Sequence, residues 1–268
     1  MYRILKSVHY GEQMSKYEAP TVKKAFLILT LISRTDQGLG ISELSKKLAM
    51  SKGTVHGITA ALEGVGAIVR DPTTKRFTLG FTLFELGRLA YTHFDMKEVA
   101  RPFMETIMEK TQASVFLGIL NREHVTIIDI VESKQDLKIT APVGTTIPLL
   151  AGAVGKAFLA SMEEAQALEI IQAGGLTRFT ENTTTDPEIY SAELRHVREV
   201  GYATDYEEYL LGVRAVASPI QVQEQPMSAI WAVGFKASLD DENMKTLITE
   251  TKKAAQAISA RVRESTAI

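Results

Sequence analysis

Residues 41–79, ISELSKKLAMSKGTVHGITAALEGVGAIVRDPTTKRFTL, constrain the fold more than any other part of the 268-residue chain. Ile41, Leu44 and Leu48 recur at a helical period, and Val55, Ile58, Leu62 and Val65 recur again at i, i+3, i+7 and i+10. Only Ala49-Met50-Ser51 separates the two runs, a turn short enough to make the helices cross. Ser51 suits the N-cap of the second helix, because its hydroxyl accepts an amide proton from the first turn. Facing outwards there are Lys52, Thr54 and His56, short donors and one cation where a DNA major groove would lie.

The flanks complete a small head. Val22, Ala25, Phe26, Leu29 and Ile32 predict a helix introduced by Pro20-Thr21 and ending in Asp36-Gln37-Gly38. After Gly64 and Gly66 break the pattern, Ile68–Arg70 and Arg76–Leu79 read as strands joined by the turn residues Asp71-Pro72-Thr73-Thr74. Such a hairpin wing would carry Arg70, Lys75 and Arg76 to the phosphate backbone; a solvated polar turn is the plain alternative. Residues 1–19 lack periodicity and read as a flexible tail that could reach DNA through Arg3, Lys6 and Lys16. Residues 81–94, FTLFELGRLAYTHF, form a helix apolar around much of its circumference, so it needs more than one partner. A linker helix that packs on a second subunit meets this need, as would burial within one chain.

Charge supports the division. Residues 1–90 carry 13 Lys+Arg against 7 Asp+Glu, a net of +6, and residues 91–268 carry 17 against 25, a net of −8. A basic head on an acidic body favours nucleic acid as the head's partner, since cations on phosphates supply most non-specific affinity. The length exceeds the ordinary domain of roughly 100–200 residues, so two domains are expected. The absence of cysteine removes disulfides, thiolate zinc sites and cysteine nucleophiles, and fits a cytoplasmic location. Neither a membrane span of about 18 apolar residues nor an apolar leader core is present in the sequence.

From Asp95 onwards the pattern is mixed. Ala113–Leu120 and His124–Val131 are strand candidates, Lys138–Val143 is expected to continue the sheet, and Arg214–Ile220 and Ser228–Phe235 add two more. Helices are expected through Val99, Phe103 and Ile107, after a capping box at Ser161-x-x-Glu164, after Asp186-Pro187, and from Asp240 to about Arg263. An α+β sensor domain accounts for this order. Gly152-Ala-Val-Gly-Lys156 lacks the first glycine and the Ser/Thr of a phosphate loop. It remains either a cradle for a carboxylate at a helix N-terminus or glycines used for close packing. Asp205, Glu207 and Glu208 cluster without a nucleophile or base beside them, which favours a solvated loop or a pocket edge over catalysis. The histidines, His9, His56, His93, His124 and His196, have no metal-type spacing, and Trp231 could wall a pocket or sit in the core.

Taken in order, these pieces resemble the IclR family of bacterial transcriptional regulators from roughly Thr21 to Arg263. The head carries Ile41-Ser-Glu-Leu-Ser, Ser51-Lys-Gly-Thr-Val-His56 and Arg76-Phe-Thr-Leu-Gly80; the body carries Val143-Gly-Thr-Thr-Ile-Pro148, Gly155-Lys-Ala157, Gly201-Tyr202, Glu207-Glu208 and Gly212–Ile220. The resemblance implies a winged helix-turn-helix over 20–80, a linker and dimerisation helix over 81–94, and a GAF-like antiparallel-sheet effector domain over 95–268. It implies a homodimer or homotetramer on double-stranded operator DNA, with a small organic acid or aromatic compound as effector, no cofactor and no membrane. By position, Ser51, Lys52, Thr54 and His56 would face DNA, while Gly57 stands where the family commonly has arginine. The effector would lie against Ile147, Ala151, Gly152, Ala153, Val154, Gly155, Asp205, Ala215, Trp231 and Val233. Ala215, Trp231 and Val233 are apolar where some acid-sensing relatives have Cys or Ser, which implies a more apolar effector. An enzyme using the Asp205/Glu208 region, or a constitutive DNA binder with a purely oligomerising body, are the competing readings.

Overall fold

The computed structural model describes residues 19–92, 96–121, 124–222 and 225–266, in two compact units that divide between Phe94 and Asp95. Of the tail expected over 1–19, residues 1–18 lie outside the described residues, as do residues 93 and 94 of the expected linker helix.

The head consists of α1 (Pro20–Ile32), α2 (Ile41–Leu48), α3 (Lys52–Gly64), the antiparallel pair β1 (Ile68–Arg70) and β2 (Phe77–Leu79), and α4 (Phe81–Thr92). Its core is the helical periodicity made physical: Ile28, Ile32, Leu44, Val55, Ile58, Ile68 and Phe77 are all buried together. Ala49, at φ 50°, turns the chain out of α2. One expectation needs correcting. The first helix stops at Ile32 rather than running to Gly38. Gly38 instead permits a close crossing, for its Cβ would fall 2.4 Å from the Phe77 carbonyl oxygen. The next residue, Leu39, bridges to Phe77.

The body contains α5 (Met96–Thr111), β3 (Ser114–Asn121), β4 (His124–Val131), β5 (Thr146–Pro148), α6 (Gly152–Ala160), α7 (Glu164–Gly174), α8 (Pro187–Val200), β6 (Ala203–Tyr206), β7 (Val213–Ile220), β8 (Ser228–Phe235) and α9 (Asp241–Thr266). The six strands form one antiparallel sheet in the order β5-β4-β3-β8-β7-β6. α6 packs against β6, β7 and β8, and α5 and α9 pack on each other and on β3, β4, β7 and β8. Arg101 of α5 fastens that layer by donating to the buried Asp129 carboxylate of β4 at 3.1 and 3.2 Å.

The structure departs from the sequence expectation at two further places. Residues 138–143 do not join the sheet. Lys138 and Thr140 bond the Glu132 carboxylate, Pro142 has no N–H to give, and Thr146–Pro148 takes the edge beside β4 instead. Nor does Ser161 cap a helix: its hydroxyl donates to the Ala157 carbonyl at the end of α6, and α7 begins without a side-chain cap. Asp186 does cap α8, accepting the N–H groups of Glu188 and Ile189.

α6 is buried from Ala153 to Ala160. A helix buried on all sides needs small residues wherever another backbone crosses it, and Gly155 is such a point: a Cβ there would lie 2.1 Å from the Leu149 carbonyl oxygen. Gly155→Ala is therefore expected to lower stability by about 1–3 kcal/mol, measured as a fall in the thermal midpoint of the body; an unchanged midpoint would show that the Leu149 turn yields freely.

Candidate functional site

In the head, Ser51 caps α3 as its sequence position dictates. Its hydroxyl accepts the Thr54 N–H at 3.1 Å and lies 2.9 Å from the Thr54 hydroxyl, so these two polar groups are held together at the helix start. Lys52 and His56 are exposed on the following turn. The wing turn is built on Asp71, whose carboxylate accepts from the Thr73 and Thr74 N–H groups and from the Thr74 hydroxyl, bonds that hold its pKa below the usual carboxylate value.

The wing cations are used unequally. Arg70 is exposed, with its guanidinium 5.6 Å from the Phe77 ring centre. Lys75, at φ 59°, donates to the Pro72 carbonyl at 2.6 Å. Arg76 is engaged within the head itself. Its Nε donates to the Gln37 and Gly38 carbonyls at 3.1 Å, and its Nη2 donates to Glu43 Oε1 at 2.9 Å. Glu43 meanwhile accepts the Gly40 N–H that begins α2, and that bond together with Arg76 keeps its carboxyl below the ordinary range. Arg76 is thus a strut between the wing and the start of α2.

In the body, strand register assembles much of the expected effector site. Asp205 pairs with Ala215, Ala215 with Val233, and Ala217 with Trp231. Cross-strand partners and i, i+2 neighbours share a face, so Asp205, Ala215, Trp231 and Val233 stand on one side of the sheet, where α6 begins. Gly152, at φ 58°, places its backbone against Asp205: a Cβ there would be 2.6 Å from Oδ2. Asp205 Oδ1 accepts the Glu208 N–H at 2.6 Å. Burial pushes the Asp205 carboxyl up, against the opposing pull of the Glu208 N–H and the Lys156 charge.

Ile147, Gly152 and Val233 are half-buried, whereas Ala151, Ala153, Val154, Gly155, Ala215 and Trp231 are buried. Trp231 stacks on Phe116 with ring centres 5.5 Å apart, its six-membered ring lying where a Cβ of Gly118 would be. Gly152 lies against the buried acid, while Gly155 permits a close approach of the Leu149 backbone.

A buried ion cluster was not legible in the sequence. Lys156, in the middle of α6, has its Nζ 2.6 Å from Glu193 Oε2 and 2.6 and 2.7 Å from the two Glu208 oxygens. Burial opposes its charge, but Glu208 and Glu193 outweigh this and raise its pKa. The Tyr190 hydroxyl is buried beside them without a hydrogen-bond partner, and burial and the two carboxylates push its pKa up. A cleft of about 590 Å³ opens here, lined by Glu193, His196, Thr204, Tyr206, Glu208 and Ile248 among others. The acidic cluster is consequently divided. Glu208 belongs to Lys156, and Glu207 bonds Lys236 at 2.6 Å and the Gly212 N–H at 3.0 Å. The one sequence signal was a lone lysine inside an otherwise small and apolar helix.

Known proteins agree with this architecture. Residues 89–260 match the family model for the bacterial transcriptional regulator IclR C-terminal domain, and residues 21–72 match the IclR helix-turn-helix domain. The chain belongs to the IclR family. It is similar to the HTH-type transcriptional regulator XynR of Escherichia coli, 29% identical over 89% of this chain and 95% of that protein. A solved IclR transcriptional regulator from Alicyclobacillus acidocaldarius superimposes with a TM-score of 0.78 at 28% identity, covering 91% of this chain and 99% of the other. An IclR homologue from Microbacterium hydrocarbonoxydans shares the fold, with a TM-score of 0.73 at 20% identity over 91% of this chain and 99% of its own length. Like the family, this chain is a DNA-binding transcriptional regulator with a C-terminal effector-binding domain, and not an enzyme.

Lys156→Ala would leave Glu193 and Glu208 without their cation. We expect a loss of about 3–5 kcal/mol at neutral pH. Burial raises the Glu208 pKa, so in the variant the penalty is full above that raised value and shrinks as pH falls towards the unfolded carboxylate range. Denaturant titration at several pH values checks this; a pH-independent loss would refute it.

Proposed function

We propose that this IclR-family regulator grips a near-palindromic operator as a homodimer or homotetramer, and that a small carboxylic acid with an apolar or aromatic body alters that grip. The reading of the effector site is supported by one observation above the others: register brings Asp205, Ala215, Trp231 and Val233 to the sheet face where Gly152 starts α6. Backbone N–H groups at the α6 start favour a carboxylate, and Asp205, with its raised pKa, meets that carboxylate best as a protonated donor. Because Trp231 is buried against Phe116, the ligand sits beside the half-buried Ile147, Gly152 and Val233. The Microbacterium homologue was solved in complex with 4-hydroxybenzoate, a compound of this class.

On the DNA side, Ser51, Lys52, Thr54 and His56 face the duplex from α3, and Arg70 and Lys75 meet phosphates from the wing, with Arg76 holding the wing in place. Second copies of the chain cover the apolar side chains that the head leaves open, among them Phe81, Phe84 and Leu86 of α4 at 68%, 60% and 59% exposure. The protein works in the cytoplasm; among the described residues no helix is long and apolar enough to cross a membrane. The effector acts through its differential affinity for two states of the regulator.

Two outcomes are expected. Phe81→Glu with Phe84→Glu should reduce the oligomer seen by light scattering and weaken salt-dependent mobility shifts on a promoter fragment; a variant that keeps both the wild-type mass and the wild-type shift refutes the role of α4. Titrating Trp231 fluorescence with 4-hydroxybenzoate and with two- and three-carbon acids should show tighter binding of the aromatic acid. Its affinity should fall as pH rises through the raised Asp205 pKa, and Asp205→Asn, which keeps a donor without an ionisable proton, should flatten that dependence. Tightest binding of a two-carbon acid would count against the site as drawn.

A further inference from the structure

The outward side of α3 is nearly bare. At 100° per residue, Gly53, Gly57, Ala60, Ala61 and Gly64 fall within an arc of roughly 100°, and all five are exposed. No side chain on that arc is longer than a methyl group. Lys52, His56 and Glu63 stand together along one flank, and Thr54 at the other is tied to Ser51.

Gly57 lies near the centre of the arc. A glycine within a helix is ordinarily explained by positive φ or by a neighbour too close for a Cβ. Neither applies: Gly57 is absent from the residues with positive φ, and nothing lies within 4 Å of the position its Cβ would take. Gly53, one turn earlier, has only the Ser51 hydroxyl oxygen near that position, at 3.9 Å. Glycine here weakens the helix relative to alanine, yet nothing in the unbound head asks for it. The DNA-binding role of this head rests on the family match over residues 21–72, independently of these glycines.

We infer that the bound duplex is what requires the missing side chains. A helix with ordinary side chains is about 10–12 Å across and nearly fills a major groove about 12 Å wide. With its outer face stripped to Gly and Ala, α3 lies deeper, and its backbone at Gly57 reaches the base edges directly. At that depth the sequence is read through shape and methyl contact rather than through long hydrogen-bonding side chains. Thymine is the base selected, because its C5 methyl group packs against Gly57 and the methyl groups of Ala60 and Ala61. Lys52 and His56, on the flank, meet the groove wall.

This inference rests on operator reading by α3, and its test separates the two. Fragments retained by the wild-type full-length protein are selected from genomic DNA and the half-site is mapped by footprinting. Affinities are then measured by anisotropy for wild type and Gly57→Ala, on the mapped site and on copies in which single thymines are replaced by uracil, which lacks the methyl group. Gly57→Ala should melt at a higher temperature and bind about tenfold more weakly, the effect of one overpacked methyl in a tight interface. One or two uracil replacements near the centre of the half-site should each weaken wild-type binding about fourfold, the value of one buried methyl. Equal or tighter binding by a folded Gly57→Ala, or indifference to every uracil, overturns the inference. Wild-type protein that retains no fragment at moderate salt overturns operator reading itself, a result distinct from either.

Discussion

The body is organised around a charge that has nowhere to go. α6 is buried from Ala153 to Ala160, and Lys156 lies in the middle of that run at 4% exposure. An unpaired ammonium at such a place would not stay charged. Two carboxylates from different elements, Glu193 of α8 and Glu208 after β6, close on it at 2.6 Å and thereby fix where those elements lie against α6. Removing one partner is far costlier than the net worth of the cluster, so the cluster acts mainly as a positional constraint. Its influence extends to the proposed effector face, for Glu208 donates its N–H to Asp205, and Asp205 lies against Gly152 at the start of α6. The helix that begins at the proposed ligand site is the helix that holds the lysine.

The head is held by a comparable economy at smaller scale. Its apolar core is minimal, and the polar joint at Arg76 does what a larger core would otherwise do, joining the hairpin to the loop before α2 and to Glu43. A cation at the base of a wing is easily read as a phosphate ligand. Here Glu43 and two carbonyls also reach the guanidinium, from residues more than thirty positions away. Arg70 and Lys52, which face solvent, keep the charge that the net of +6 over residues 1–90 implied.

Local chemistry was legible throughout. Periodicity located α1, α2 and α3, strand patterning located β3, β4, β7 and β8, and cap residues such as Ser51 and Asp186 behaved as their side chains dictate. What failed were inferences in which one local signal competes with another partner for the same group. Lys138–Val143 has strand character, but Glu132 claims its polar groups and Thr146–Pro148 takes the edge. Ser161 followed by Glu164 has the form of a capping box, but the Ser161 hydroxyl returns to α6. Gly38 looked like a helix terminator and proved to be a crossing point.

The sequence by itself determined the two-part plan, the basic head with its crossed helices, the antiparallel sheet of the body and, through its ordered motifs, membership of the IclR family. Those features depend on spacing of a few residues, which a linear pattern contains. Tertiary structure alone decided which carboxylate neutralises Lys156, that Arg76 is a strut, that Trp231 rests on Phe116 above Gly118, and that Gly57 faces open space. Each depends on what another part of the chain brings within a few ångströms, or leaves empty, and a one-dimensional pattern carries no record of that.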